Sequence, residues 1–343
     1  MNDVIANHAA TPPTVIATRQ RRVGHILLNR PKALNALDQS MIRAVAEALS
    51  TWRDDPMVRG VVIEGAGGRA FCAGGDVRAI RAHALAGEHA QVATFFREEY
   101  ALNALIAEYP KPYVALIDGI CMGGGIGLSV HGQFRVTSEH GLFAMPETAI
   151  AMFPDVGATF VLPRLPGQLG LYLGLTGQRL TGPDAVHAGL ATHFVPRDAM
   201  EGLAEAIAAD GPAVIAARAQ TLPPFSLAPH RAAIDRCFSA PSIRELIARL
   251  EAEDTDWSRE TLATLRGVSP AAVHWSWEAI RRGGVRTLRG ALAMELALTR
   301  HVSVHPDFAE GVRAMVVDKD RQPKWGATRI EDVDVAAIDA MFT

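Results

Sequence analysis

Tyr113-Val114-Ala115-Leu116-Ile117-Asp118-Gly119-Ile120-Cys121-Met122-Gly123-Gly124-Gly125 is the stretch on which the architecture turns. Its first five residues form an apolar run with the length and composition of a buried strand. The glycines that follow let the main chain turn sharply and approach a neighbour or a ligand closely. A short helix is expected near 126–131, then a strand at 134–137. The same order recurs upstream: a strand at 58–64, a glycine-rich turn at 65–76, and an alanine-rich helical pattern over 77–107 that stops at Tyr109-Pro110. Earlier still, 25–28 reads as a strand halted at Asn29-Arg30-Pro31, because proline cannot donate to a ladder. Asp38 then caps a helix whose apolar Met41, Ile42, Val45, Leu49 and Trp52 recur at helical spacing. That helix must end before Asp55-Pro56. Strand, turn and helix in repetition over 23–200 predict an α/β core.

Beyond about 200 the strand signals vanish. Ser242 with Glu245 forms a capping-box pattern, Ser269-Pro270 opens another helix, and Gly283-Gly284 closes it. The chain therefore reads as a loose lead-in at 1–22, an α/β core at 23–200 and a helical region at 201–343. A proline-rich joint at Leu222-Pro223-Pro224 lies near the change.

The 343 residues are 49% apolar and 21% charged, enough for a substantial buried core. Thirty-four basic and 37 acidic side chains leave a formal charge of −3, so no net positive field would hold nucleic acid or an anionic bilayer. Neither partner is expected. The mainly apolar stretch 113–130 is interrupted by Asp118 and five glycines, unlike a membrane span. Cys72, Cys121 and Cys237 supply neither a disulfide framework nor a zinc clamp, and a reducing cytoplasm is the expected compartment. The first 22 residues lack the apolar run of a secretion signal, although their single acid, Asp3, leaves an organellar address open.

Several motifs have competing readings. Gly65-Ala66-Gly67-Gly68-Arg69-Ala70 matches the spacing of a dinucleotide fingerprint, yet the following Phe71-Cys72-Ala73-Gly74-Gly75 opposes the helix such a site needs. Gly127-Leu128-Ser129-Val130-His131 begins like a serine nucleophile elbow but lacks its second glycine. The signatures of zinc peptidases, P-loops and calcium loops are absent from the sequence.

Two glycine clusters, Ala73-Gly74-Gly75-Asp76 and Met122-Gly123-Gly124-Gly125, each follow a buried strand and lead into a helical pattern. Two converging amides would make an oxyanion hole for a thioester carbonyl; close packing of two turns is the other reading. Glu147 and Asp155 stand eight residues apart in apolar surroundings, which raise a carboxyl pKa and suit it to proton transfer near neutrality. Each also reads as a local device, Glu147 as the cap of a helical turn and Asp155 as a turn residue before Gly157.

Taken together, Asn29-Arg30-Pro31-Lys32-Ala33-Leu34-Asn35-Ala36-Leu37, Ala70 to Asp76, Asp118 to Gly125 and Met145-Pro146-Glu147 resemble the crotonase (enoyl-CoA hydratase/isomerase) superfamily. The resemblance spans roughly 23–343. It implies the crotonase spiral of strand-strand-helix repeats with a helical C-terminal region. It also implies that Gly75 and Gly124 hold the acyl thioester oxygen. In hydratases a second catalytic glutamate stands three residues after the latter glycine; here that position is Gly127, and Glu147 alone remains.

Phe96 to Tyr100, Pro146 to Gly157, and Asp307 to Ala314 with Asp318-Lys319-Asp320 ahead of Pro323-Lys324-Trp325 resemble the branch that hydrolyses β-hydroxyacyl-CoA thioesters. The activity this implies is release of CoA, with 3-hydroxyisobutyryl-CoA, a valine breakdown product, as the foremost substrate. Glu147 would attack the thioester or activate water. Asp155, and Glu99 by resemblance, would orient the acyl hydroxyl and the water. Arg30 and Lys32, with Lys319, Arg321 or Lys324, are candidate contacts for CoA, or simply solvated surface cations. No metal and no cofactor beyond the CoA of the substrate are expected, and a homo-oligomer is compatible with the family. Hydration or isomerisation of an enoyl-CoA, and a non-catalytic acyl-CoA-binding scaffold, are the alternatives.

Overall fold

The computed structural model of the protein describes residues 12–342. In chain order its strands are Val15–Gln20 (β1), Val23–Leu28 (β2), Gly60–Gly65 (β3), Ala70–Cys72 (β4), Tyr113–Ile117 (β5), Ile120–Met122 (β6), Phe134–Thr137 (β7), Leu142–Ala144 (β8), Leu180–Thr181 (β9) and His193–Phe194 (β10). One sheet has the order β1-β2-β3-β5-β7-β10 and the other β4-β6-β8-β9. β3, β5 and β7 are parallel neighbours in the first, and β4, β6 and β8 in the second. Each turn of the chain thus lays one strand in each sheet before continuing, which is the expected spiral.

Alternation of side chains fixes the register. Val61 and Ile63 of β3, with Tyr113, Ala115 and Ile117 of β5, enter the main apolar core. Val62, Val114 and Leu116 point the other way, into a smaller cluster closed by Leu203, Ile207 and Ile215. The central strands are therefore covered on both faces, which is why their sequence reads as continuous apolar runs rather than alternating ones.

Four helices matter for the site: Gln39–Arg53 (α1), Val77–Leu85 (α2), His89–Ala107 (α3) and Gly124–Ser129 (α4). Asp38 caps α1 as expected, accepting from the Met41 amide at 2.9 Å. The continuous helix expected over 77–107 is instead two helices. The chain breaks around Gly87, whose φ of +73° lies in the left-handed region that glycine alone adopts freely. The helix expected near 126 begins two residues earlier, at Gly124. The loose lead-in is also corrected for its described part. Val15–Gln20 pairs antiparallel with β2, using main-chain hydrogen bonds that need little apolar content at an exposed edge. Residues 1–11, most of the stretch considered for an organellar address, lie outside the described residues.

The dinucleotide spacing at Gly65 ends in a turn and then β4, with no helix to receive a pyrophosphate. Ser129 is buried and donates to the Gly125 and Ile126 carbonyls, so it is a packed helix residue.

After β10 the described chain has helices only. They do not form a separate core. Trp275, Leu298, Phe308 and Ile338 belong to the same apolar cluster as Ile26 and Ile63. Trp275 anchors the helix Pro270–Gly283 by donating its indole N–H to the Met152 carbonyl at 2.9 Å. A methyl group on Gly311 would stand 2.7 Å from the main chain of Ile150. That close approach brings the C-terminal helices down onto the segment between Glu147 and Asp155.

Candidate active site

The Asn29–Leu37 segment builds one wall of the site by main-chain contact. The Leu37 amide donates to the Gly74 carbonyl, and the Asp76 amide to the Leu37 carbonyl, each at 2.8 Å. Buried Asn35 donates its side-chain amide to the Ala66 and Ala70 carbonyls at 3.0 and 2.9 Å, closing the turn before β4. The Gly74–Gly75 strand exit is thereby pinned from outside the cavity.

Opposite it stands the glycine run. A methyl group on Gly124 would lie 3.3 Å from the Gly75 nitrogen and 2.6 Å from Glu99 Oε1; one on Gly123 would lie 2.9 Å from Glu147 Oε1. Glycine is required here because two main chains and two carboxyl groups share the space. Neither the Gly75 nor the Gly124 amide donates to another main-chain carbonyl outside the helices and strands of the described residues. Gly124 is the first residue of α4, where an amide has no intrahelical acceptor.

These glycines line a cavity of about 280 Å³ together with Glu99, Glu147 and Asp155. Phe95, Phe96, Ile80, Met152, Phe308 and Met315 give it apolar walls. α3 carries Phe95, Phe96, Glu99, Tyr100 and Asn103 buried along it. Glu147 opens a short 3₁₀ turn after β8, without capping it through its side chain. The side chains of Glu99, Glu147 and Asp155 are all buried, and Glu99 Oε1 and Glu147 Oε2 have no hydrogen-bond partner among the described residues.

Burial pushes Glu147 well above the usual carboxylate range, and Asp155 and Glu99 add repulsion. Glu99 is raised in the same way by burial and then by Asp155. Burial lifts Asp155 to about 6, against the hydrogen bond that the Tyr100 hydroxyl donates to its Oδ2 at 2.7 Å. Three carboxyl groups in one apolar cavity hold their protons more tightly than isolated ones do, and Asp155, at about 6, is the one placed to exchange its proton near neutrality.

Five of the residues singled out from sequence thus meet in one place: Gly75, Gly124, Glu99, Glu147 and Asp155. Arg30 and Lys32 do not line the cavity. Arg30 donates to Asp76 Oδ2 at 2.9 Å and to the Ala36 carbonyl at 3.1 Å, bracing the residue after Gly75. Lys32 is exposed on a turn, and Lys319, Arg321 and Lys324 are exposed near the C-terminus. The cation among the cavity-lining residues is Arg179, whose exposed guanidinium makes no ion pair or hydrogen bond among the described residues. Sequence reasoning passed over it because a single arginine in a turn carries no pattern. No group of three or more His, Cys, Asp or Glu among the described residues is placed to hold a metal ion.

Position 127 has no room for a side chain. A methyl group there would stand 2.7 Å from Val156 Cβ and 2.8 Å from Asn103 Nδ2. Chemically, the arrangement offers two unspent amides, a carboxyl group beside them in Glu147, and a second carboxyl group, Asp155, fixed by a tyrosine.

A family model described as enoyl-CoA hydratase/isomerase matches residues 23–342. The chain is 44% identical over 351 residues to the "3-hydroxyisobutyryl-CoA hydrolase, mitochondrial" of Xenopus tropicalis, covering 99% of this chain and 91% of the relative. Among solved structures, a carnitinyl-CoA dehydratase from Mycobacterium thermoresistibile superposes with a TM-score of 0.92 at 40% identity, covering 96% of each chain. An enoyl-CoA hydratase from Rhodobacter sphaeroides 2.4.1 does so with the same score and identity, over 96% of this chain and 97% of that one.

Proposed function

The chain belongs to the enoyl-CoA hydratase/isomerase family, and from that premise we propose that it hydrolyses 3-hydroxyisobutyryl-CoA to 3-hydroxyisobutyrate and CoA. It is an acyl-CoA thioester hydrolase. The observation that carries this reading is the pairing of Glu147, beside two unspent glycine amides, with a position 127 that is closed by Val156 and Asn103. Hydration by the two-glutamate route needs a second carboxylate at 127 to hold water and move a proton, and glycine does neither.

In the reaction the thioester oxygen accepts from the Gly75 and Gly124 amides, which stabilise the negative charge that develops when the carbonyl is attacked. Glu147 serves as nucleophile or as base. In the first case its carboxylate bonds to the acyl carbon, the C–S bond breaks with CoA leaving as thiolate, and water then splits the mixed anhydride. In the second, Glu147 takes a proton from the water that attacks directly. Asp155 and Glu99 accept from the acyl hydroxyl. A buried acceptor left unpaired by a substrate without that hydroxyl would discriminate against it strongly. Arg179 is the cation available to the CoA portion at the cavity. The product assigns the reaction to valine breakdown. The cysteines, all free and buried, suit a reducing compartment, here the cytoplasm; the Xenopus tropicalis relative is named for the mitochondrion.

Titration of free thiol during incubation with 3-hydroxyisobutyryl-CoA tests the reading, alongside the absorbance of a conjugated enoyl-CoA. Thiol release with an unchanged enoyl signal supports hydrolysis. Loss of the enoyl signal without thiol release would replace it with hydration. Tight CoA binding with no turnover of either would leave a binding scaffold.

A further inference from the structure

Asp155 sits at the start of a turn that the chain does not adopt without help. Val156, a β-branched residue, has a φ of +54°, and Gly157 follows at +82°. A valine in the left-handed region is a true outlier, and such strain persists only where the surroundings over-determine it. The surroundings here are three. Tyr100 holds the Asp155 carboxylate at 2.7 Å, and His131 Nε2 donates to the Val156 carbonyl at 2.8 Å. From the far side comes Glu295, on the helix Leu288–Val302, with no solvent exposure. Its Oε2 accepts from the Gly157 amide at 2.8 Å, while its Oε1 accepts from the Thr159 amide at 3.2 Å and from the Thr159 hydroxyl.

An isolated acid on the buried face of an apolar helix is costly, and here both oxygens are spent on one turn. The helix has no other need of it, since Leu292, Leu298 and Val302 supply its packing. Glu295 does not line the cavity, and neither do Gly157 and Thr159, the two residues its carboxyl group grips.

We propose that Glu295 is a positioning residue for Asp155: by gripping the Gly157 and Thr159 amides it holds the Asp155-Val156-Gly157 turn in the conformation that presents the Asp155 carboxylate to the acyl hydroxyl. The proposal rests on the role given to Asp155 above. Losing the grip lets the turn relax, and a shift of about an ångström at a recognition group is enough to weaken it a hundredfold.

The test is a specificity ratio, kcat/KM for 3-hydroxyisobutyryl-CoA divided by that for isobutyryl-CoA, which lacks the hydroxyl. Glu295→Gln keeps the volume but replaces one acceptor with a donor, and the ratio is expected to fall on the order of tenfold. Thr159→Val should lower it less, and Thr159→Ser, which keeps the hydroxyl, should restore it. In an Asp155→Asn background, Glu295→Gln should change the ratio less than about twofold, because the two act through one contact. A Glu295→Gln ratio equal to that of the wild type, or equal losses in both backgrounds, would overturn the proposal. Should that variant fail to fold, an unchanged ratio in Thr159→Val would do the same. If Asp155→Asn alone leaves the ratio untouched, the role of Asp155 itself fails, and thiol release by the wild type still shows separately whether the protein is a thioesterase.

Discussion

Val156 fills the space that a side chain at position 127 would need, with its Cβ 2.7 Å from where a Cβ on Gly127 would stand. The residue after one carboxyl group of the site thus closes the position from which a hydratase would extend its second glutamate. The chain does not merely lack that glutamate; it has filled the room for it. Gly127→Ala is therefore expected to destabilise the fold by about 1–3 kcal/mol, the usual cost of overpacking a buried contact. Gly127→Glu should cost more and should not gain hydration of an enoyl-CoA. Urea unfolding and the enoyl absorbance check the two halves of this statement.

Tyr100 favours the charged form of Asp155. Removing its hydroxyl in Tyr100→Phe takes away a hydrogen bond to the carboxylate, so the pKa of Asp155 must rise above about 6. If the carboxylate is the working form, the acid limb of kcat/KM for the hydroxyacyl thioester moves to higher pH. A pH profile of the variant shows this as a larger loss at the acid end than at the alkaline end.

Burial lifts Glu295 to about 8 in the fold, against its ordinary 4.5. A carboxyl group raised in the native state binds its proton more tightly there than in the unfolded chain. Its contribution is fully present below the unfolded pKa and is lost as pH rises through the folded one. The melting temperature should therefore fall as pH climbs from about 5 to about 8, and more shallowly in Glu295→Gln. Thermal melts of both proteins across that window measure the difference in slope.

Arg179 meets the cavity from an exposed position. An exposed ionic contact with the CoA portion is worth at most about 1 kcal/mol, so Arg179→Ala should raise KM for the acyl-CoA up to about fivefold and leave kcat nearly unchanged. Steady-state kinetics separates the two. An unchanged KM would assign the CoA contact elsewhere.

What could be read from the sequence was local. Gly74-Gly75, Gly123-Gly124 and Glu147 each lie beside a buried strand, and a strand end fixes the direction of the residues just after it. Asp155 was legible for the same reason, since it follows Glu147 closely. β1 was missed because an exposed edge strand is held by main-chain pairing, which imposes little on side chains. The break at Gly87 was missed because one glycine inside an alanine-rich pattern fits a continuous helix as well as two. Glu295 acts across 138 residues on Gly157, a relation that no local pattern records. Its one sequence trace is an acid on the stripe Leu292, Leu298 and Val302, where a core helix would carry another apolar residue.

Everything depends on Glu147 as the group that breaks the carbon–sulfur bond. Glu147→Gln keeps the shape of the side chain but can neither attack the thioester nor accept a proton from water. Titration of free thiol from 3-hydroxyisobutyryl-CoA with the folded variant, beside the wild type, should show release slowed on the order of a thousandfold with substrate binding retained. Release at the wild-type rate by Glu147→Gln would contradict the account.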